Sequence, residues 1–245
     1  MQFLGSLLFY IGIGVSTFLL LPIIIIGLLL PPLVQQRILA RWSGWIITTL
    51  RVLCRLDFKV TGRENIPAGP AIILAKHQSA WETFALQVIF PPQTWVLKRE
   101  LLLIPIFGWA LAAAHAIAID RGSPKQALNQ VIKKGRDRLD KGLWVVIFPE
   151  GTRSQPGHSL KYNAGGAMLA SRTGYSAVPV AHNAGCYWNP GKFVIQPGTV
   201  ELVIGPTIGA ADRRAGEIMS EAEQWIEGTM REITPASYYA EEQTD

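Results

Sequence analysis

His77 and Glu82 stand five residues apart in the run HQSAWE, directly after the apolar stretch AIILAK. An imidazole titrates near neutrality, at about 6.5, and a carboxylate on its second ring nitrogen fixes the tautomer and raises its basicity. Such a pair takes a proton from a hydroxyl. Five residues of continuous helix turn about 140° around the axis, so the two side chains meet only if His77 lies in a turn and Glu82 in the first turn of the next helix. The pattern predicts that layout, with a buried strand over 71–76 and a helix over 81–90. Ser79 and Glu82 equally fit the capping box SxxE, a structural device in which both side chains bond free backbone N–H groups at a helix start.

Three later elements have chemistry of their own. Asp120 and Arg121 end an apolar run, and Ser123, Pro124 and Gln126 then mark a helix start by N-cap, first-turn proline and capping-box glutamine. FPEGTRS, 148–154, ends another apolar run and offers a carboxylate, a permissive glycine and a guanidinium fork suited to phosphate. Val178, Pro179 and Val180 end a further one. Arg121 alone reads as a surface charge and EGTR alone as a turn with a salt bridge. In an open α/β sheet, however, the carboxyl ends of strands face the ligand crevice, so four such elements can converge.

The elements that must position them alternate. Strand patterns fall at 58–61, 71–76, 95–98, 116–120, 144–148 and 177–181, with helical patterns at 81–90, 124–139 and 164–173 between them. That alternation predicts an α/β fold with a mostly parallel central sheet flanked by helices. Residues 194–196 and 201–204, around a Pro-Gly pair, read as a late hairpin. Ile218, Ala222, Trp225, Ile226, Met230 and Ile233 form one stripe of a final helix over 211–233.

Residues 1–36 contain no charged side chain, and 3–21 would span roughly 28 Å as a helix, about one bilayer core. The stretch lacks a basic n-region and a small-residue cleavage site, so it is a membrane segment and not a secretory signal. Pro22, Pro31 and Pro32 interrupt it, which leaves a span, a re-entrant helix and an in-plane helix open. An amphipathic helix over 33–56 follows, with Arg37, Arg41, Arg51 and Arg55 in one sector and Trp42 and Trp45 as interfacial aromatics. The division expected is a membrane-associated helical anchor, 1–56, an α/β domain, 57–236, and an acidic tail, 237–245. Those four arginines account for most of the formal net charge of +5. The rest of the chain, with 19 basic and 18 acidic side chains, is therefore nearly balanced and has no basic stripe for nucleic acid. Cys54 and Cys186 have no metal spacing and read as packing residues in a reducing compartment. With four histidines and neither HxxxH nor CxxC, no metal is expected. No GxSxG elbow supports a serine hydrolase, so Ser79 is read as a cap and not a nucleophile.

The ordered set of His77 to Glu82, AIDR (118–121), FPEGTR (148–153) and 178–180 resembles the four-block signature of the glycerolipid acyltransferases. It is most similar to the bacterial 1-acyl-sn-glycerol-3-phosphate acyltransferase (PlsC-like) family, over about 57–204. Lys98, Arg99, Glu100 and Leu101, with Pro105, Gly108 and Trp109, also resemble the family's segment between its first two blocks. Glu82 stands where the family usually has Asp, and Lys76 where Asn is frequent. The resemblance implies His77 as general base and Glu82 as its orienter. It places Lys98, Arg121 and Arg153 around an acceptor phosphate, in a pocket shaped by Glu150, Gly151 and Thr152. It implies transfer of an acyl group from an acyl carrier protein or coenzyme A thioester to lysophosphatidic acid, with no cofactor beyond that co-substrate. It also implies an anchor docked into one leaflet of the bacterial inner membrane, in contact with membrane lipids, and the α/β domain on the cytoplasmic face. A sibling acyltransferase for an ornithine lipid or glycerol 3-phosphate, and a membrane-docking scaffold without catalysis, remain as alternatives.

Overall fold

The computed structural model describes residues 1–27, 29–104 and 107–239. Pro105 and the end of the acidic tail, 240–245, lie outside them. In chain order the elements are α1 (Gln2–Gly27), α2 (Pro32–Thr49), β1 (Leu56–Thr61), β2 (Ile72–Ala75), α3 (Trp81–Ile89), β3 (Gln93–Lys98), α4 (Phe107–Ala113), β4 (Ile117–Ile119), α5 (Pro124–Asp140), β5 (Trp144–Ile147), α6 (Gly165–Thr173), β6 (Ala177–His182), β7 (Gly198–Ile204) and α7 (Ala215–Ile233). The strands form one sheet in the order β1-β7-β6-β2-β5-β3-β4. Every pairing is parallel except that of β6 with β7.

The late hairpin does not form. Residues 194–196 are not a strand, and β7 pairs with β1 and β6 instead. The backbone N–H of Ile195 is taken by the Ser6 hydroxyl at 2.9 Å and that of Gln196 by the Tyr187 carbonyl at 2.9 Å, which leaves neither for a ladder. Val178, Pro179 and Val180 do not end a strand either; they lie inside β6, which runs on to His182. Pro179 is tolerated there because the antiparallel β6–β7 ladder stops at Val180, and its carbonyl accepts the Gly205 N–H beyond that point.

Alternation along β2 divides the core. Ile73 and Ala75 face a cluster with Ile46, Trp81 and Leu86 of α2 and α3, whereas Ile72 and Leu74 face Val131, Leu169, Ile218 and Ile226 of α5 to α7. Residues 76 and 77 continue that alternation past the strand end, so consecutive side chains leave on opposite faces of the sheet.

α1 is the single helix among the described residues long and apolar enough to cross a membrane. Its outer face exposes Phe3, Leu7, Ile11, Phe18, Leu19 and Ile26. Its inner face is not free, since Phe9, Leu20 and Ile24 belong to the buried cluster that joins α2 to one face of the sheet. Gly5 allows the closest approach: a Cβ there would sit 2.2 Å from the carbonyl oxygen of Leu53. That carbonyl lies in a π-helical turn, Leu50–Cys54, which replaces the last turns of the amphipathic helix expected over 33–56 and ends at Arg55 in the left-handed region. Trp42, expected at a membrane interface, instead packs edge-on against Phe84 of α3 and donates to the Ser16 hydroxyl of α1 at 3.2 Å. Trp45 is exposed as expected.

Candidate active site

Parallel pairing carries the ends of β2, β5, β3 and β4 to one edge of the sheet, and β6 ends there too. At the centre of this edge the chain leaves β2 through His77 in an extended turn and enters α3 at Trp81. The turn brings the pair together, with His77 Nδ1 2.7 Å from Glu82 Oε1. The same oxygen accepts the backbone N–H groups of Gln78 at 3.1 Å and Ser79 at 2.9 Å. One carboxylate oxygen therefore both caps the helix and orients the imidazole, and the two readings of SxxE are not exclusive. The other half of the capping box is altered: the Ser79 hydroxyl accepts from Trp81 N–H at 3.2 Å and donates to the Trp188 carbonyl at 2.7 Å. Fully buried and engaged on both sides, Ser79 is not placed to act as a nucleophile.

With Nδ1–H committed to a carboxylate, His77 Nε2 carries the lone pair. It has no hydrogen-bond partner among the described residues, and the ring remains 17% exposed. The ring is stacked on Phe148 with centroids 4.1 Å apart and planes 15° from parallel. Glu82 itself is completely buried. Burial alone would raise its pKa, but His182, His77 and the Ser79 N–H outweigh that and hold the carboxyl below its ordinary value. His182, at the end of β6, lies with Nε2 3.9 Å from Glu82 Oε2 and donates to the Lys76 carbonyl at 2.8 Å. Burial pushes its pKa down, against the opposing pull of the Glu82 carboxylate.

The FPEGTRS loop grips His77 by its backbone. Glu150 Oε2 accepts the His77 N–H at 2.9 Å, and Ser154 N–H donates to the His77 carbonyl at 2.8 Å. The Glu150 side chain is fully buried, and its other oxygen is ion-paired with Lys76 Nζ at 2.8 Å. Glu150 thus shapes the site from below and presents no oxygen to a substrate. Gly151 makes the tight turn at φ +72°, a conformation L side chains rarely adopt, and there a Cβ would also crowd the Asn163 amide at 3.2 Å. Thr152 and Arg153 follow on the exposed side.

The remaining cations line the same edge. Lys98 ends β3, half exposed and only 3.7 Å from Glu100. Arg121 follows β4 and is exposed, while its neighbour Asp120 is paired with Arg99 at 2.9 Å. Arg121 and Arg153 make no ion pair with any described residue. Strands lie about 4.8 Å apart, so Arg153 on the loop after β5 starts one strand from His77, and Arg121 starts three strands away, about 14 Å. Pro124 opens α5 as expected, but Ser123 makes no side-chain cap.

Residue types and spacing do not reveal Phe148 as a stacking surface, Ser154, His182 or Trp188. Each becomes visible only once strand order is known. The described residues contain no group of three metal-ligating side chains.

A family model for acyltransferases matches residues 57–183, more than half of the chain. A 1-acyl-sn-glycerol-3-phosphate acyltransferase of Pseudomonas aeruginosa is 44% identical over 96% of this chain and 93% of its own length. The Saccharomyces cerevisiae protein of the same name is 30% identical, over 85% of this chain and 72% of its own. The fold matches the crystal structure of the Thermotoga maritima acyltransferase PlsC with a TM-score of 0.79, at 23% identity and covering 94% of this chain and 95% of that one. Block order, the edge geometry and these likenesses agree: the chain belongs to the acyltransferase family, among the 1-acyl-sn-glycerol-3-phosphate acyltransferases.

Proposed function

We propose that this protein moves a fatty acyl group from an acyl thioester to the sn-2 hydroxyl of 1-acyl-sn-glycerol 3-phosphate, giving phosphatidic acid, with His77 as the base. The observation that carries the reading is the His77–Glu82 contact of 2.7 Å beside a ring nitrogen left open at a cationic sheet edge. His77 Nε2 accepts the hydroxyl proton as the oxygen attacks the thioester carbonyl, and Glu82 stabilises the imidazolium that forms. The tetrahedral intermediate collapses with loss of the thiolate, which takes the proton back from His77. A thioester is already activated, so no covalent enzyme intermediate is needed, in keeping with the engagement of Ser79. Lys98, Arg121 and Arg153 supply the positive charge for a phosphate monoester that carries close to two negative charges.

Either an acyl carrier protein or coenzyme A fits as the thiol. The apolar outer face of α1 supports membrane association. Ser6, Phe9 and Tyr10 of that helix meet Ile195 and Trp188 of the α/β domain, which favours docking into one leaflet over an independent span. Placement on the cytoplasmic side of a bacterial inner membrane completes the reading. Its test is turnover of the purified chain in detergent with a panel of lysolipid acceptors and both thioester types. Phosphatidic acid formed preferentially from lysophosphatidic acid is expected. Equal turnover of an ornithine lysolipid or of glycerol 3-phosphate would overturn the acceptor assignment.

A further inference from the structure

On the face of the sheet opposite the imidazole lies an ionic cluster, buried at Lys76 and Glu150 and partly exposed at Glu227, that the reaction does not use directly. Lys76 is fully buried, with Nζ 2.8 Å from Glu150 Oε1 and 2.8 Å from Glu227 Oε1 of α7, and donates to the His158 carbonyl at 3.2 Å. Tyr162 donates its hydroxyl to the same Glu227 oxygen at 2.8 Å. One ammonium thus ties two carboxylates together, and a buried lysine survives only if such partners offset its desolvation. The partner of Lys76 on the site side, Glu150, is the residue whose second oxygen holds the His77 N–H. A continuous chain of short contacts therefore runs from α7 through Lys76 and Glu150 to the peptide group of the base.

We propose that Lys76 is a positioning residue: from the far face of the sheet, anchored to α7 by Glu227, it aims the Glu150 carboxylate at the His77 N–H and so sets where the imidazole stands relative to Glu82 and the acceptor hydroxyl. The chemistry of the cluster supports direction as well as stability. A carboxylate can meet a partner at each oxygen, and Glu150 is ion-paired with Lys76 through Oε1 while Oε2 accepts the His77 N–H. An amide at 150 has one acceptor and one donor, and facing both Lys76 and the His77 N–H it must set its NH2 against one of them. Removing the ammonium leaves two carboxylates facing each other, and the Glu150 side chain is then drawn off its aim. Replacing both groups at once restores consistency, because beside a methionine at 76 the amide oxygen can accept from His77 while its NH2 turns to Glu227.

The inference rests on the reading of His77 as base, and the test separates the two. Steady-state kinetics of the full chain in lipid–detergent micelles would compare Lys76→Met, Glu150→Gln and the double variant, with His77→Ala alongside and thermal midpoints for all. Each single variant is expected to lose roughly tenfold or more in kcat with KM for both substrates within about twofold, and the double variant to recover to within about threefold of the parent. Hydrogen exchange at the His77 amide, which needs no turnover, should be faster in the singles and slow again in the double. If a single variant is too unstable to assay, the double variant and its exchange decide. An inactive His77→Ala beside singles of normal kcat, or a double no better than the worse single, would overturn the positioning role alone. An active His77→Ala would overturn the base assignment itself.

Discussion

At the scale of the residue, Glu82 concentrates three duties in one oxygen: orienting His77 and accepting the N–H groups of Gln78 and Ser79. An amide oxygen can still accept all three, but a neutral amide cannot stabilise an imidazolium. Glu82→Gln should therefore leave the thermal midpoint within a few degrees of the parent while kcat falls at least about 100-fold; the corresponding change in serine proteases costs about 10⁴. A stable variant with near-normal turnover would make Glu82 a helix cap only. Beneath it, His182 and Glu82 both have pKa values below their ordinary 6.5 and 4.5. In each case the unfolded chain binds more protons between the folded and unfolded pKa, so stability rises with pH there. Acidification should weaken the fold first below about 6.5, as unfolded His182 takes up a proton that the buried ring refuses, and again below about 4.5 for Glu82. His115 is shifted in the same direction by burial. Urea midpoints measured from pH 7.5 to 5 should thus flatten in part in His182→Gln, by up to about 1.4 kcal/mol per pH unit. An unchanged slope would show that His182 is not held neutral.

At the scale of the element, the sheet edge decides which cations can serve one ligand. Arg153→Ala and Arg121→Ala should each cost about 2 kcal/mol in kcat/KM for the phosphorylated acceptor and much less for an uncharged monoacylglycerol. Arg153 starts nearer His77, so equal losses on both acceptors there would indicate a role in holding the loop. On the α1 side, Trp188 links the His77 turn to the N-terminal helix: its carbonyl accepts from Ser79, and its indole N–H donates to the Tyr10 hydroxyl at 3.0 Å. Gly5 seats the start of that helix, so Gly5→Val should lift it off the π-helical turn and lower the midpoint by roughly 5 °C. A midpoint equal to the parent's would mean that α1 docks without this contact. The central strands were legible because 72–75 and 144–147 are apolar runs with clear ends, and the first turn of α3 was legible from SxxE. A Pro-Gly pair is a local turn signal, but no local pattern shows that the partner of the Ile195 N–H is a serine 189 residues away, and so the late hairpin is not formed. Lys76 and Glu227 are likewise 151 residues apart, and only strand order and helix docking join them.

At the scale of the whole molecule, the two faces of the sheet do different work. One carries α1 to α3 and His77; the other carries α5 to α7 and the ionic cluster of Lys76, Glu150 and Glu227. The charge-free stretch at the start of the sequence shares one buried cluster with the α/β domain, since Phe9, Leu20 and Ile24 belong to the cluster that also holds Ile73 and Trp81. The exposed apolar residues of α1 and the His77 ring thereby lie on one face of the sheet, the arrangement the proposed transfer to an amphiphilic acceptor calls for. The central claim is that the His77 ring performs the proton transfer. Its most direct test is the rate of phosphatidic acid formation by His77→Ala at saturating lysophosphatidic acid and acyl thioester, with acceptor binding measured in parallel. The account predicts acceptor binding close to that of the parent and a kcat lower by about 10³-fold or more; turnover within tenfold of the parent would contradict it.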